Sequence, residues 1–109
     1  MTHQEIYNML ASTNIPTVYL SWKIDTTPNL PYIVYYYPTS DDFVADNINF
    51  QSINALNIEL YTANKDFTTE SLIESVLKNN SLAFRKTETW LESEDMYQIL
   101  YETEVIIDG

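Results

Sequence analysis

The chain has 109 residues, of which 45% are hydrophobic and 14% aromatic. This composition supports one modest hydrophobic core and excludes an intrinsically disordered chain, so a single domain over residues 1–109 is expected. Sixteen acidic residues against five basic ones give a formal net charge of −11, which disfavours binding to nucleic-acid phosphates or to anionic membranes.

The first predicted elements are a short helix and two strands. Thr2 and Glu5 form a capping-box pattern ahead of apolar residues at helical spacing, which predicts a helix over residues 3–12. Aromatic and β-branched residues predict a strand over residues 17–22 and another over 32–37. The second strand carries bulky side chains on both faces, so we expect both faces to be covered.

The second half of the chain predicts one more strand, a helix and a hairpin. Residues 53–62 alternate between apolar and polar side chains, which is typical of a half-buried strand. Asp66, Thr68 and Thr69 are each suited to cap a helix that ends near residues 79–81, and residues 83–92 and 96–106 predict the hairpin. The predicted order is therefore α-β-β-β-α-β-β.

This order indicates an α+β fold in two layers, with a mostly antiparallel or mixed sheet of four to five strands and both helices on one face. The opposite face then meets either another subunit or the loop that follows the first strand, and both alternatives remain open. Tyrosine is enriched at protein interfaces, and the chain has nine. The predicted subunit-interface residues are Tyr35, Tyr37, Asp41, Asp42, Phe43, Asp46 and Asn47.

Several kinds of site are excluded by residues that the chain lacks. It has no cysteine, and its single glycine is Gly109. Thiolate metal sites, cysteine nucleophiles, glycine-rich phosphate loops and nucleophile elbows therefore cannot form. Residues 1–5 lack a secretion-signal pattern, and no apolar stretch approaches the ~20 residues that span a bilayer.

The remaining chemistry offers no predicted catalytic residue. A catalytic triad would have to use His3, the sole histidine, near a chain end where ordering is usually poor. The carboxylates at 41–46 and 92–95 are expected to be solvated loop residues, and an EF-hand would need a glycine and a glutamate that the first cluster lacks. We therefore expect no enzymatic activity, no cofactor and no bound metal.

Three segments carry a further pattern: PYIVYYYP at residues 31–38, SDDFVADN at 40–47, and IELYT at 58–62 with Lys65 and Asp66 after it. They resemble small tail-region proteins of long-tailed phages and prophages of Gram-positive bacteria, specifically the tail terminator, or tail completion and head-tail joining, group. The resemblance extends over nearly the whole chain.

The resemblance implies an α/β virion structural subunit that is made in the bacterial cytoplasm and assembles into a ring, typically of six copies, at the head-proximal end of the tail. Its implied partners are the tail tube protein and head-connector proteins, and it implies no catalytic residues. Carboxylates facing the ring lumen would repel the phosphates of passing DNA.

Two alternatives remain beside the tail terminator. One is another head-tail connector or minor capsid component, which differs in its partners and not in its chemistry. The other is an acidic protein-binding inhibitor that mimics DNA. Such a mimic should array carboxylates at phosphate spacing on one face, whereas the acidic residues here fall largely in loops and at alternating strand positions.

Overall fold

The computed structural model describes residues 1–38, 40–41 and 51–108. These residues form two α-helices and six β-strands, and two short 3-10 turns lie in loops. In chain order the elements are α1 (His3–Ala11), β1 (Thr17–Tyr19), β2 (Tyr32–Tyr36), β3 (Ser40–Asp41), β4 (Gln51–Thr62), α2 (Phe67–Asn79), β5 (Arg85–Leu91) and β6 (Met96–Asp108). The predicted α+β class is confirmed.

The strands form one mixed sheet in the order β1-β2-β4-β6-β5, and β3 pairs with β4 beside that path. β1 runs parallel to β2, and the other pairs are antiparallel. The longest pairing joins β4 and β6, from Gln51 opposite Asp108 to Thr62 opposite Tyr97. At about 3.4 Å per residue this ribbon is roughly 40 Å long. β2 and β3 pair with β4 on one side of it, and β5 pairs with β6 on the other.

Both helices pack on one face of the sheet, as predicted. Alternate residues of β4 and β6 point toward them because side chains along a strand alternate between the two faces. The buried cluster joins these strand residues to both helices, and it comprises Ile6, Met9, Leu10, Ile15, Ile33, Tyr35, Leu56, Ile58, Leu60, Ile73, Leu77, Ile99, Tyr101, Val105 and Ile107. The opposite side of the sheet is called the helix-free face below.

The helices begin at the residues that the sequence indicates. The Thr2 hydroxyl accepts a hydrogen bond from the Glu5 N–H at 3.1 Å, and the Glu5 carboxylate accepts one from the Thr2 N–H at 2.7 Å. This is the predicted capping box of α1. At the start of α2 the Asp66 carboxylate accepts hydrogen bonds from the Thr69 N–H at 3.0 Å and from the Thr69 hydroxyl at 2.5 Å.

The first strand is shorter than predicted. β1 ends at Tyr19 because Leu20 adopts a positive φ of 70°, a left-handed conformation that directs the chain out of the sheet. The Leu20 N–H still donates to the Tyr35 carbonyl at 2.8 Å, after which residues 21–31 form a loop with a single 3-10 turn. The strand predicted over residues 17–22 therefore extends only to Tyr19.

The loop after β1 folds back over the helix-free face. The Trp22 ring makes an edge contact with Tyr32 of β2, with 6.1 Å between the ring centroids. Val34 lies on this face and is nevertheless only 6% exposed. Of the two predicted covers for this face, the loop is therefore the one that lies over β2.

Candidate interaction surfaces

An aromatic cluster lies where α1 meets the β1 edge of the sheet. The Tyr19 ring contacts the rings of Tyr35 and Tyr37, with centroids 5.3 and 5.8 Å apart. The His3 ring makes an edge contact with Tyr37, and its Nδ1 lies 2.8 Å from the Tyr37 hydroxyl. Because Tyr19 is 48% exposed, the cluster presents aromatic surface to solvent at this edge.

Two of the predicted interface residues belong to this cluster, but they differ in accessibility. Tyr35 is 7% exposed, so it packs beneath the Tyr19 ring and contributes little solvent-accessible surface to the cluster. Tyr37 is half-buried, and burial together with the neighbouring Tyr35 and Tyr19 raises the pKa of its phenol to about 12. Tyr37 therefore keeps its proton at neutral pH.

The other predicted interface residues lie in or beside the β3 segment. Asp41 is the second residue of β3, and its backbone pairs opposite Ile53 of β4. Asp42, Phe43, Asp46 and Asn47 lie outside the described residues. That this segment contacts another subunit stays a prediction.

Glu59 lies in the middle of the helix-free face and accepts hydrogen bonds from two phenols. The Tyr61 hydroxyl donates to Glu59 Oε1 at 2.7 Å, and the Tyr36 hydroxyl donates to Oε2 at 2.9 Å. Burial and the bond to Glu59 raise the pKa of Tyr61, so this phenol stays a neutral donor. None of the ion pairs among the described residues involves Glu59, and its negative charge is not neutralised by a cation.

A cavity of about 320 Å³, the aromatic pocket, opens beside Glu59 under the loop after β1. The residues that line it include Trp22, Tyr32, Tyr61, Glu59 and Glu94. The Tyr32 and Tyr61 rings lie 5.2 Å apart between centroids. Burial, with the nearby Glu94 charge, raises the pKa of Tyr32. The pocket thus combines aromatic walls with two carboxylates.

Two apolar side chains are exposed at the other end of the helix-free face. Ile53 and Ile106 face each other across β4 and β6, and each is 50% exposed. Next to them a groove of about 700 Å³ runs along the start of β5, where Arg85 lies opposite Glu102. The loop therefore covers one end of this face and leaves an apolar pair exposed at the other.

A cluster of ion pairs joins α2 to β5 and β6 on the helix-covered face. Glu70, whose side chain is 2% exposed, lies 2.7 Å from both the Lys65 and the Lys86 ammonium. Lys86 also pairs with Glu74 at 2.7 Å, and the Tyr101 hydroxyl donates to Glu74 at 2.8 Å. No sequence pattern predicts this cluster, because Lys86 and Tyr101 reach Glu70 and Glu74 only through the packing of α2 on the sheet.

The pKa values in this cluster favour charged, structural groups. Burial alone would lower the pKa of Lys86, but its hydrogen bonds to Glu70 and Glu74 raise it. Likewise, burial would raise the pKa of Glu74, but the bonds from Lys86 and Tyr101 lower it. A nucleophilic lysine needs a depressed pKa, whereas the pKa of Lys86 is raised. These ion pairs therefore fit a structural role, in which they hold α2 against the sheet.

The described residues offer little that catalysis could use. They contain no group of three or more His, Asp or Glu placed to hold a metal ion. His3 contacts Tyr37, and Glu92, Glu94 and Asp95 are exposed at the hairpin turn, as expected for solvated loop residues. Within the same residues, neither helix has the length and apolar character that a membrane crossing requires. The absence of enzymatic activity stays a prediction.

Comparison with known proteins bears on the fold. No protein-family model and no curated protein match the sequence. Among solved structures, the chain is similar to a chain of the virion of a native gene transfer agent (GTA) particle, with a TM-score of 0.66 and 16% sequence identity. The match covers 99% of this chain and 96% of that chain. The two proteins therefore share a fold over their whole length.

Proposed function

We propose that this protein is a virion structural subunit of a phage or prophage, and that it acts as a tail terminator in the head-tail joint. The observation that carries the proposal is the shared fold with a virion chain, which extends over 99% of this protein. The sequence resemblance to tail terminator proteins supports the more specific role.

The surfaces of the subunit suit an assembly that closes into a ring. Rings form when two different patches of one subunit meet in a head-to-tail contact whose rotation closes. The two edges of this sheet differ. The β1 edge carries the aromatic cluster with exposed Tyr19, whereas the β5 edge is a seven-residue strand with mostly polar and charged exposed side chains and one exposed aromatic ring, Trp90.

The negative charge of the subunit is suited to a channel through which DNA passes and is not suited to a site that binds DNA. The exposed carboxylates include Glu102 and Glu104 on the helix-free face and Glu92, Glu94 and Asp95 at the hairpin turn. Carboxylates that line a lumen repel phosphates and prevent the genome from adhering. In this proposal the ring contacts the tail tube protein on one side and head-connector proteins on the other.

Assembly is tested by size-exclusion chromatography with light scattering across protein concentration, followed by negative-stain imaging of any large species. We expect a ring of about six copies with a central hole, formed by the protein alone or on co-expression with tail tube and head-connector proteins. Tyr19→Ala should reduce the assembled fraction, because it removes the largest exposed ring of the β1 edge.

Leu72→Ala is the matched control, since Leu72 is 45% exposed on α2 and lies away from that edge. This variant should assemble like the unchanged protein. A protein that stays monomeric alone and also binds neither the tail tube nor the head-connector proteins would contradict the proposal. Equal loss in both variants would contradict the assignment of the contact to the β1 edge.

A further inference from the structure

We propose that the aromatic pocket of Trp22, Tyr32, Tyr61, Glu59 and Glu94 binds an arginine side chain of a different, less acidic polypeptide. This inference does not depend on the virion role, because it rests on the geometry and charge of the pocket.

The walls of the pocket supply the faces that a guanidinium requires. Tyr32 stacks at a tilt of 36° against Tyr61 at 5.2 Å, and Trp22 meets Tyr32 at 76°. Three aromatic residues therefore line one open cavity of about 320 Å³, which is near the lower limit of small-ligand sites and large enough for one side chain. A cation over such rings is attracted by their electron-rich faces.

Two carboxylates in the pocket have no cationic partner among the described residues. Glu59 and Glu94 both line the cavity, and neither takes part in an ion pair among the described residues. Each Glu59 oxygen accepts one phenol hydrogen bond, which fixes the carboxylate in place. A carboxylate held in this way retains lone pairs for a further donor.

No basic residue in the described part of the chain forms an ion pair with either pocket carboxylate. Lys65 and Lys86 are held by Glu70 in the ion cluster. Arg85 begins β5, whereas the pocket residue Leu91 ends it, so about 20 Å of strand separates that arginine from its own pocket. The nearby loop residue Lys23 forms no ion pair with either pocket carboxylate among the described residues.

Arginine fits better than lysine, and another protein fits better than a second copy. A guanidinium is planar, stacks on aromatic rings and donates in a fork to carboxylates, whereas an ammonium is a compact, strongly hydrated charge. The pocket carries two carboxylates on a chain with a net charge of −11, so charge complementarity favours a partner that is less acidic.

The experiment is a titration followed by ¹H–¹⁵N NMR of the tryptophan indoles, with Nα-acetyl-arginine amide as the probe. The chain has two tryptophans, so the indole region should contain two peaks, which Trp90→Phe assigns. We expect the Trp22 peak to shift saturably while the Trp90 peak stays in place. Nα-acetyl-citrulline amide has nearly the same shape without the charge, and it should leave both peaks unchanged.

Glu59→Gln keeps the side-chain shape and removes the charge, so it should weaken arginine binding roughly two- to fivefold, the effect of about one partly screened charge pair. Glu104→Gln removes the same charge outside the pocket and should not change the affinity. An unmoved Trp22 peak, an equal response to citrulline, or equal weakening by both substitutions would overturn the proposal. Equal binding of Nα-acetyl-lysine amide would overturn the choice of arginine.

Self-association is the rival occupancy, in which Arg85 of a second copy fills the pocket. Sedimentation of the unchanged protein, Glu59→Gln and Arg85→Gln separates the two. If both substitutions abolish the same self-association, a second copy occupies the pocket and the proposal of a different partner is wrong. If both variants sediment like the unchanged protein and Arg85→Gln still binds the arginine probe, the result supports a partner other than a second copy.

Discussion

At the scale of single residues, Glu70 is the most constrained charge among the described residues. Its side chain is 2% exposed and lies between the Lys65 and Lys86 ammonium groups. Without the Glu70 carboxylate, Lys65 still pairs with Glu88 and Lys86 with Glu74, so the cost falls below the roughly 3–5 kcal/mol of an uncompensated buried charge. Glu70→Gln should therefore lower the free energy of unfolding by about 2 kcal/mol, the loss of buried hydrogen bonds to charged groups, as measured by urea denaturation followed by circular dichroism.

Glu88→Gln is the matched comparison, because Glu88 also pairs with Lys65 but its side chain is 44% exposed. Surface ion pairs contribute about 0–1 kcal/mol, so this substitution should cost less than 1 kcal/mol. If the two variants lose the same stability, burial of Glu70 does not control the strength of the cluster.

At the scale of elements, the start of α2 links stability to pH. Hydrogen bonds from the Thr69 hydroxyl and the Thr69 N–H lower the pKa of Asp66 below its ordinary value of 3.8. A lowered folded pKa means that Asp66 stabilises the protein fully above 3.8 and that this contribution is lost as the pH falls through the folded value. Asp66→Asn keeps a capping side chain and abolishes that titration.

The expected result is a stability difference between the unchanged protein and Asp66→Asn that shrinks as the pH is lowered from 5 to 3, measured by urea denaturation at each pH. Asp66→Ala serves as the reference for the cap itself, since it should cost about 1 kcal/mol at pH 7. A difference that does not vary with pH would show that the Asp66 charge contributes nothing to the cap.

Local patterns predicted most of the elements correctly. The capping box, the alternation in β4 and the hairpin of β5 and β6 depend on neighbouring residues, and they lie within a few residues of the expected bounds. The early end of β1 depends on one left-handed residue, Leu20, and leucine gives no signal for that conformation. The parallel pairing of β1 with β2 follows from the path of the loop, which composition does not specify.

The candidate sites were less predictable than the elements, because they depend on contacts between residues that are distant in sequence. The predicted interface residue Tyr35 lies on a strand with bulky side chains on both faces, and only the position of the helices decides that it is buried. The aromatic pocket joins residue 22 to residues 59–61 and 94. These residues meet because the loop folds back over the sheet, and no sequence spacing reports that contact.

At the scale of the whole molecule, net charge opposes the proposed assembly. Six copies at −11 would carry −66, and the exposed carboxylates on the helix-free face and the hairpin turn contribute to this repulsion. Salt screens such repulsion, because the Debye length falls from about 10 Å at 0.1 M to about 3 Å at 1 M. Short-range apolar contacts at the aromatic cluster are not screened in this way.

The assembled fraction should therefore rise with sodium chloride between 0.1 and 1 M, as measured by light scattering at fixed protein concentration. Replacing both Glu102 and Glu104 by Gln removes two charges per copy, so this variant should reach the same assembled fraction at lower salt. Sucrose, which is uncharged, provides the control for excluded-volume effects. An assembled fraction that falls with salt would mean that opposite charges hold the subunits together, and the contact would then have to involve the lysines and Arg85 instead of the aromatic edge.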